Sequence, residues 1–355
     1  MKKICLIGSI GYSDETSSGQ VVRTRLLHGS LIEHYGRNSV FMVNTSEHKK
    51  YFLKILFLLL VSLFYCDIYI VILSGNGRKI VFPILVLFKK LFGKYVLNNI
   101  IGGDYDVSLN KHKSLKKQSN VFDINWVQMP SMKERITNMG ICNVEVLPNS
   151  KPLAIIHNPE NYIININHDT YDFCTFSRVS KEKGIELAIR AIKSINNDYR
   201  KTIARLTIYG EPDADYKQEF EKLMKNMSDD IHYGGVIELD NTINTLKNYY
   251  MLLFPTTFYG EGFPGTILDS YAAGIPVIAS SWKYNPELVN NKINGLLYDY
   301  NKPELLKENI IWAICNPESV NRMRGNCTNE AKKYTFQKVM PIIFDKIDSL
   351  RAKDN

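Results

Sequence analysis

The sequence has few features of secreted, metal-binding or membrane-spanning proteins. Its six cysteines include no pair at CxxC spacing; they are Cys5, Cys66, Cys142, Cys174, Cys315 and Cys327. This scatter argues against a zinc site or a disulfide framework and is typical of a reducing cytoplasm. The longest apolar run, Ile55–Cys66, has twelve residues, whereas a bilayer span takes about 20. Lys2 and Lys3 lead into a short β-like run, which is not a signal-peptide pattern. We therefore expect a cytoplasmic protein without a transmembrane helix.

Positive charge is concentrated in one half of the chain. Residues 1–150 carry 19 Lys and Arg against 10 Asp and Glu, a balance of +9, whereas residues 151–355 carry 25 against 26. An uneven balance of this kind favours an acidic partner for the basic half. The lysines are scattered and accompany no known recognition module, so we do not expect nucleic acid to be that partner.

Short β-like runs alternate with helical stretches along the whole chain. Helical candidates in the first half include Val21–Tyr35, Tyr51–Tyr65 and Pro83–Phe92. The alternation predicts parallel sheets covered by helices on both faces, which is the α/β class. A length of 355 residues suits two domains, and Pro148–Pro152 has the composition of a hinge. We predict two Rossmann-like domains, 1–150 and 151–335, facing across a ligand-binding cleft, and a final helix in 336–355 that crosses back to the first domain.

The segment from Glu261 to Asp269 carries the strongest functional signal. It predicts a loop and a short helix, followed by a Gly-Ile-Pro stop and a buried strand. Gly262 and Gly265 let a ligand approach the backbone, and the helix start after Pro264 favours phosphate through its free amides and its dipole. Asp269, one turn into the helix, would reach a ribose attached to that phosphate. Two carboxylates around an anion-binding turn suit a nucleotide-sugar.

This segment resembles the Glu-x7-Glu signature of the retaining glycosyltransferases of family 4, which have the GT-B fold. The resemblance covers most of the second half. Arg178 and Lys183-Gly184 follow a predicted strand, as in the family's Gly-Arg-x4-Lys-Gly element. Other matches, in family order, are Val146–Asn149, Tyr209–Gly210, Gly234–Gly235 and Phe254–Thr257. Two positions depart from the pattern. Asp269 occupies a position at which Glu is commonest in the family, and Ser177 occupies the position before Arg178 at which the family usually has Gly.

The resemblance implies a role for each residue of the motifs. Arg178 and Lys183 would bind the donor diphosphate, which agrees with the need of two phosphates for cations. Glu261 would contact the donor sugar and Asp269 the ribose hydroxyls. The other predicted donor-binding residues are Gly262, Phe263, Gly265, Thr266 and, in the glycine-bearing loop Gly8–Gln20 of the first half, Gly19. The family's pattern is metal-independent, so we expect no metal and no cofactor.

Two further patterns carry weaker signals. Members of the family often have a catalytic-site histidine in the first domain, and His112 is the nearest candidate, although a solvated loop histidine is the simpler interpretation. Asp-x-Asp strings occur at Asp104–Asp106 and Asp213–Asp215, and such a string holds the metal of the other nucleotide-sugar transferase fold. Because the string is short and common, we predict no metal at either.

Two apolar stretches of the basic half carry lysines. Lys49–Lys54 opens the run Ile55–Cys66, and Phe82–Tyr95 mixes aromatic residues with cations. Such helices either lie in an anionic membrane interface or cover a sheet while their lysines reach solvent. The second interpretation is favoured for Ile55–Cys66, and both stay open for Phe82–Tyr95.

The sequence thus predicts an enzyme that moves a sugar, with retention, from a nucleotide-sugar, UDP-linked, to a glycan acceptor. The basic and aromatic first half suggests an acceptor linked to a lipid diphosphate at the inner face of the cell membrane, as in capsule, O-antigen or exopolysaccharide assembly. Two alternatives stay open. One is a non-catalytic GT-B subunit that supports a partner transferase. The other is a GT-B nucleotide-sugar epimerase, which would need an acid–base set that the first domain does not display.

Overall fold

The computed structural model describes residues 2–11, 19–46, 50–157, 159 and 169–353. The chain divides into two compact units: unit 1 consists of Met1–Lys151 and Phe336–Asn355, and unit 2 of Pro152–Thr335. Residues 12–18 of the predicted glycine-bearing loop and Lys49 of the predicted basic stretch lie outside the described residues.

Unit 1 is built on a sheet of six parallel strands. The strands are β1 (Ile4–Gly8), β2 (Val40–Asn44), β3 (Ile68–Ile72), β4 (Tyr95–Asn99), β5 (Ile124–Val127) and β6 (Val144–Val146). Their order in the sheet is β2-β1-β3-β4-β5-β6. Every residue of β1 and β3 is buried, because helices cover both faces of a central parallel strand.

The helices of unit 1 that precede unit 2 in the chain connect these strands. They are α1 (Gly19–Tyr35), α2 (Phe52–Tyr65), α3 (Gly75–Phe92), α4 (Tyr105–Lys111), α5 (Lys113–Val121) and α6 (Pro130–Asn138). The prediction that a helix starts at Pro83 is wrong, because α3 begins at Gly75 and contains Pro83 in its interior. Proline removes one hydrogen bond there, but the buried side chains of Phe82 and Leu85 hold the helix against the sheet.

Helix α2 buries only one stripe of its apolar surface. The buried positions are Ile55, Leu59 and Ser62. Their spacing is that of one helix face. On another face, Phe57 is 65% exposed and Phe64 is 83% exposed. The favoured interpretation of Ile55–Cys66 as a buried helix is therefore wrong for much of the run, because the sequence is apolar all around the helix and one face alone contacts the sheet. Among the described residues no helix is long and apolar enough to cross a membrane.

Unit 2 contains a second sheet of six parallel strands. The strands are β7 (Tyr171–Phe176), β8 (Ala204–Tyr209), β9 (Ile231–Gly235), β10 (Met251–Phe254), β11 (Val277–Ser280) and β12 (Gly295–Tyr298). Their order is β12-β11-β10-β7-β8-β9. The helices are α7 (Ile185–Tyr199), α8 (Lys217–Met224), α9 (Thr242–Leu246), α10 (Gly265–Ala272), α11 (Asn285–Leu288), α12 (Leu305–Cys315) and α13 (Pro317–Ala331). The two parallel sheets, whose strands alternate with helices along the chain, confirm the predicted α/β class.

The last helix, α14 (Phe336–Ala352), belongs to unit 1 although unit 2 separates it from the rest of that unit. Its buried side chains join the core that Leu27 and Leu31 of α1 form on the sheet. The ring of Phe344 stacks on His34, with ring centroids 4.1 Å apart. The Tyr35 hydroxyl donates a hydrogen bond to the Asp348 carboxylate at 3.0 Å. Thus α14 covers the same face of the sheet as α1.

Candidate functional site

The strand order of unit 2 reverses between β7 and β10. The chain proceeds from β7 through β8 to β9 on one side, and from β10 through β11 to β12 on the other. In an open parallel sheet, ligands bind beyond the carboxyl ends of the strands at such a switch point. Arg178 and Lys183 follow β7, whereas Glu261 and α10 follow β10. The predicted donor-binding residues of unit 2 therefore lie on the two loops that flank this point.

Lys183 and Glu261 form an ion pair although 78 positions separate them. Nζ of Lys183 lies 2.6 Å from Oε2 of Glu261, and each side chain is only 10% exposed. The Thr256 hydroxyl donates a second hydrogen bond to the same carboxylate oxygen, at 3.0 Å. Removal of either charge would leave the other buried without its partner, which is strongly unfavourable.

Gly184 allows the loop of Lys183 to press against the loop of Glu261. Its φ of +74° lies in the left-handed region, and a Cβ at this position would overlap the carbonyl oxygen of Pro255. The backbone amide of Thr257 donates a hydrogen bond to the Glu182 carbonyl at 2.7 Å. The absence of a side chain at Gly184 thus brings the two loops into backbone contact, which positions Lys183.

Arg178 lies near the same aromatic ring as Lys183. The guanidinium carbon of Arg178 is 5.8 Å from the ring centroid of Phe258, and Nζ of Lys183 is 4.8 Å from it. Arg178 also contacts Asp213, with Nη1 and Oδ1 3.1 Å apart, but its side chain is 59% exposed. An exposed pair of this kind contributes about 0–1 kcal/mol, so Arg178 can turn towards an anionic ligand at little cost.

The N-terminus of α10 offers polar groups to a ligand. The helix begins at Gly265, and Pro264 at the preceding position makes no side-chain cap. The Thr266 hydroxyl oxygen is buried and has no hydrogen-bond partner among the described residues. Unpaired amides, this hydroxyl and the helix dipole all favour an anion. Asp269 lies one turn further along the helix and is 7% exposed.

The loop before α10 is anchored within unit 2. Gly262 is buried, and Phe263 packs edge-on against the ring of Tyr334, with centroids 5.0 Å apart. Burial and the nearby Glu330 carboxylate raise the pKa of Tyr334. Its hydroxyl therefore stays protonated at neutral pH and donates a hydrogen bond to Glu330 at 3.1 Å. These contacts hold in place the loop that carries Glu261.

The candidates of the first half belong to unit 1. Gly19 is the exposed first residue of α1, and an added Cβ there would meet no atom within 4 Å. His112 is exposed at the junction of α4 and α5. Asp106 pairs with Arg135, whose Nε lies 2.8 Å from the carboxylate. Across the described part of the chain, no three acidic, histidine or cysteine side chains are grouped closely enough to hold a metal.

Sequence reasoning missed two contributors to the site. Thr256 lies in the matching stretch Phe254–Thr257, which assigns it no role, yet it is fully buried and its hydroxyl donates a hydrogen bond to Glu261. Phe258 carried no motif, and its position beside both cations depends on the loop conformation. Trp282, which follows β11 in the chain, stabilises that conformation: its Nε1 donates a hydrogen bond to the Phe258 carbonyl at 2.8 Å.

The family model of the glycosyl transferases group 1 matches residues 160–333, which is nearly all of unit 2. The matched residues contain both loops of the candidate site, with the ion pair between Lys183 and Glu261 and the start of α10.

Known proteins also resemble the chain. An uncharacterized glycosyltransferase of Methanocaldococcus jannaschii is 28% identical over 185 residues, which are 52% of this chain and 50% of the relative. The chain thus spans about half the length of that relative. The sucrose-phosphate synthase of Thermosynechococcus elongatus has a TM-score of 0.76 at 14% identity, over 99% of this chain and 100% of that one. Anabaena Alr3699/HepE, in complex with UDP-glucose, has a TM-score of 0.73 at 12% identity, over 98% and 100%. These structural likenesses confirm the GT-B fold class.

Proposed function

We propose that this protein is a retaining glycosyltransferase that moves a hexosyl or N-acetylhexosaminyl group from a UDP-linked donor to a glycan acceptor. The observation that carries the proposal is the buried contact of Lys183 with Glu261, four residues before α10 begins. This contact joins a cation and a carboxylate beside a helix N-terminus, at the switch point of a unit that matches the model of the glycosyl transferases group 1. A nucleotide-sugar has phosphates and hydroxyls that match these three features.

Arg178 and Lys183 would stabilise the leaving diphosphate. Cleavage of the bond between the sugar and the diphosphate leaves negative charge on the phosphate oxygens. Two cations and the first amides of α10, at Gly265 and Thr266, are suited to stabilise that charge. The unpaired Thr266 hydroxyl would donate one more hydrogen bond. In this arrangement the donor replaces Asp213 as the partner of Arg178.

The two carboxylates would act at the other groups of the donor. Glu261 would accept hydrogen bonds from the donor sugar and stabilise the positive charge that develops on its ring. Asp269 would hold the ribose hydroxyls. Its side chain is one methylene shorter than the Glu commonest in family 4, so the ribose would lie closer to α10. None of these roles requires a metal.

The choice of UDP is supported by the complex of Alr3699/HepE with UDP-glucose, and the assignment of retention by the resemblance to family 4. Thermal-shift measurements with UDP-glucose, UDP-N-acetylglucosamine and GDP-mannose would identify the donor. We expect the largest rise in melting temperature with a UDP-sugar. The anomeric proton signal of the product would then report retention or inversion.

Unit 1 is proposed to bind the acceptor, a glycan on a lipid diphosphate, at the inner face of the cell membrane in surface polysaccharide assembly. Support comes from the exposed stripe of α2, which consists of Leu53, Phe57, Leu60 and Phe64 and is 49–83% exposed. No acidic residue occurs in α2 or α3, and Lys54, Lys79 and Lys90 are exposed on them. An apolar stripe among lysines suits a peripheral position on an anionic membrane surface.

The enzyme proposal is tested by UDP-sugar turnover in wild type and in Glu261→Ala and Lys183→Ala. Lys181→Ala is the matched control, because Lys181 lies on the same loop in an exposed pair with Glu219. We expect wild type and the control to turn over a donor and the two site variants to be severely impaired. Wild-type turnover no faster than that of the site variants with every donor would instead favour a non-catalytic subunit.

A further inference from the structure

Unit 1 contains a cavity of about 360 Å³ at its own switch point. The strand order reverses between β1 and β3, because the chain moves from β1 to β2 on one side and from β3 to β4 on the other. The cavity lies beyond the carboxyl ends of β1, β2 and β3, where Ser9, Ser46 and Ser74 line it. Its volume is within the range of small-molecule sites, about 300–1,000 Å³. Its position is thus that of a ligand site in an α/β sheet.

One end of the cavity is lined by hydroxyl groups. Ser9 and Ser46 share a hydrogen bond of 2.7 Å between their oxygens, the Ser46 hydroxyl also donates to Oδ1 of Asn44 at 2.7 Å, and Ser74 donates to Oε1 of Gln20 at 2.9 Å. Helix α3 begins at the neighbouring Gly75, so its first amides point towards the same end. A polar head group would exchange hydrogen bonds with these hydroxyls, and the dipole of α3 favours a head group with negative charge.

The rest of the cavity is apolar. Ile55, Leu56 and Leu59 line it from α2, and Ile80 and Val81 line it from α3. Leu59 and Val81 are buried, whereas Ile80 is 43% exposed. One end of the cavity is therefore lined by hydroxyl groups at the strand ends. The other end is lined by apolar side chains of α2 and α3 and is open to solvent at Ile80. A nucleotide does not match this wall, because its base and ribose would leave polar groups unpaired there.

The two helices that line the cavity carry charge of one sign. Helices α2 and α3 contain five Lys and Arg and no Asp or Glu. Arg78 is buried and Lys89 pairs with Asp123 at 2.7 Å, whereas Lys54, Lys79 and Lys90 are exposed. These three exposed lysines attract an anionic molecule and repel a cationic one.

We infer that the cavity binds an anionic amphiphile, with its phosphate at the hydroxyl-lined end and its alkyl chain between α2 and α3. The inference rests on the proposed function, since such a molecule is the membrane-linked part of the proposed acceptor. It gives the acceptor a definite place in unit 1. The exposed stripe of α2 would contact the bilayer, while its cavity-lining residues Ile55, Leu56 and Leu59 contact the alkyl chain.

Calorimetric titration of the full chain with dodecyl phosphate, below its critical micelle concentration, tests the inference. Inorganic phosphate is the second probe, because it distinguishes recognition of the alkyl chain from recognition of the anion alone. We expect saturable binding of dodecyl phosphate and at least tenfold weaker binding of inorganic phosphate. Equal affinity for the two probes, or no saturable binding of dodecyl phosphate, would overturn the inference.

Leu56→Trp and Ile80→Trp fill the cavity from its two helices. Leu63→Trp is the matched control, because Leu63 is half-buried like Leu56 and lies seven residues further on the same helix, outside the cavity. We expect the affinity for dodecyl phosphate to fall at least tenfold in each filling variant and to change less than twofold in the control. Unchanged affinity in the filling variants would overturn the inference.

UDP-glucose binding separates this inference from the proposed function. The donor residues are in unit 2, so donor binding reports on the donor site independently of the cavity in unit 1. Donor turnover without dodecyl phosphate binding would overturn the acceptor cavity alone. Dodecyl phosphate binding that the filling variants abolish, in a protein that turns over no UDP-sugar, would support the cavity and count against the transferase.

Discussion

The two units present different chemistry at the same place in the same scaffold. Each has six parallel strands and one switch point. In unit 2 the loops at that point bring together a lysine and a carboxylate with an exposed arginine nearby. In unit 1 they bring together hydroxyls at the end of an apolar cavity. Strand order thus fixes where a ligand lies, and loop residues fix which ligand it is.

The two halves of the chain also differ in their charge. Residues 1–150 have a charge balance of +9, from 19 Lys and Arg against 10 Asp and Glu, whereas residues 151–355 are nearly neutral with 25 against 26. The exposed apolar stripe of α2 also belongs to unit 1. The nearly neutral half contains the donor residues of unit 2, and the basic half, with its exposed apolar stripe, suits an amphipathic acceptor.

The largest expected effect is in unit 2. We expect Lys183→Ala to lower donor turnover about 100- to 1,000-fold, which is typical of removing one group that stabilises developing negative charge. It should also lower the free energy of unfolding by about 3–5 kcal/mol, because Glu261 is left buried without its cation. Steady-state kinetics and urea unfolding measure the two effects.

The double variant Lys183→Met/Glu261→Gln distinguishes these two effects. Removal of both charges should recover much of the lost stability but none of the turnover. A Lys183→Ala variant as stable as the exposed control Lys181→Ala would contradict the buried ion pair.

Gly184→Ala tests the contact between the two loops of unit 2. We expect it to lower the free energy of unfolding by about 3 kcal/mol, since the new Cβ would overlap Pro255 at a left-handed φ. Thermal unfolding with and without UDP measures the effect. Gly140→Ala in unit 1 is the control, because its φ is also positive, at +83°, but no atom lies within 4 Å of the added Cβ. Equal losses in both variants would show that backbone conformation alone matters.

Phe57→Glu tests the exposed stripe of unit 1. Burial of a Phe side chain contributes about 1.5–3 kcal/mol, so its replacement should weaken binding to phosphatidylglycerol vesicles about ten- to a hundredfold. Vesicle sedimentation measures this. Stability should hardly change, because Phe57 is 65% exposed. Ile293→Glu, at a 55% exposed position of unit 2, is the control. Equal binding by both variants would rule out the stripe as the membrane contact.

Gly29→Ala should have the smallest effect on the free energy of unfolding, and it should raise that energy rather than lower it. Gly29 is an exposed interior position of α1, and an added Cβ there meets no atom within 4 Å. Alanine should therefore raise the free energy of unfolding by about 0.5–1 kcal/mol. Urea unfolding measures the change, and a loss of stability would show that α1 is not a regular helix at this position.

The alternating architecture was predictable because central parallel strands are short apolar runs, as in β1 and β3. The helices α4 to α6 were harder to recognise, because they are short and polar. Pro83 was misleading, since its ring is compatible with a helix start and tertiary packing permits it in the interior of α3. For the site, residue types and spacing indicated Arg178, Lys183 and Glu261. The direct contact of Lys183 with Glu261 needed the strand order, because nothing local relates positions 78 apart.

Helix α14 determines when unit 1 can be completed during synthesis. Unit 2 is one continuous stretch, 152–335, whereas unit 1 needs residues from both ends of the chain. The ribosome releases residues in order, so the face of the first sheet around Leu27 and Leu31 lacks Val339, Met340 and Ile343 until the last helix emerges. Unit 1 is therefore completed only after unit 2, and until then a chaperone can bind its uncovered apolar face.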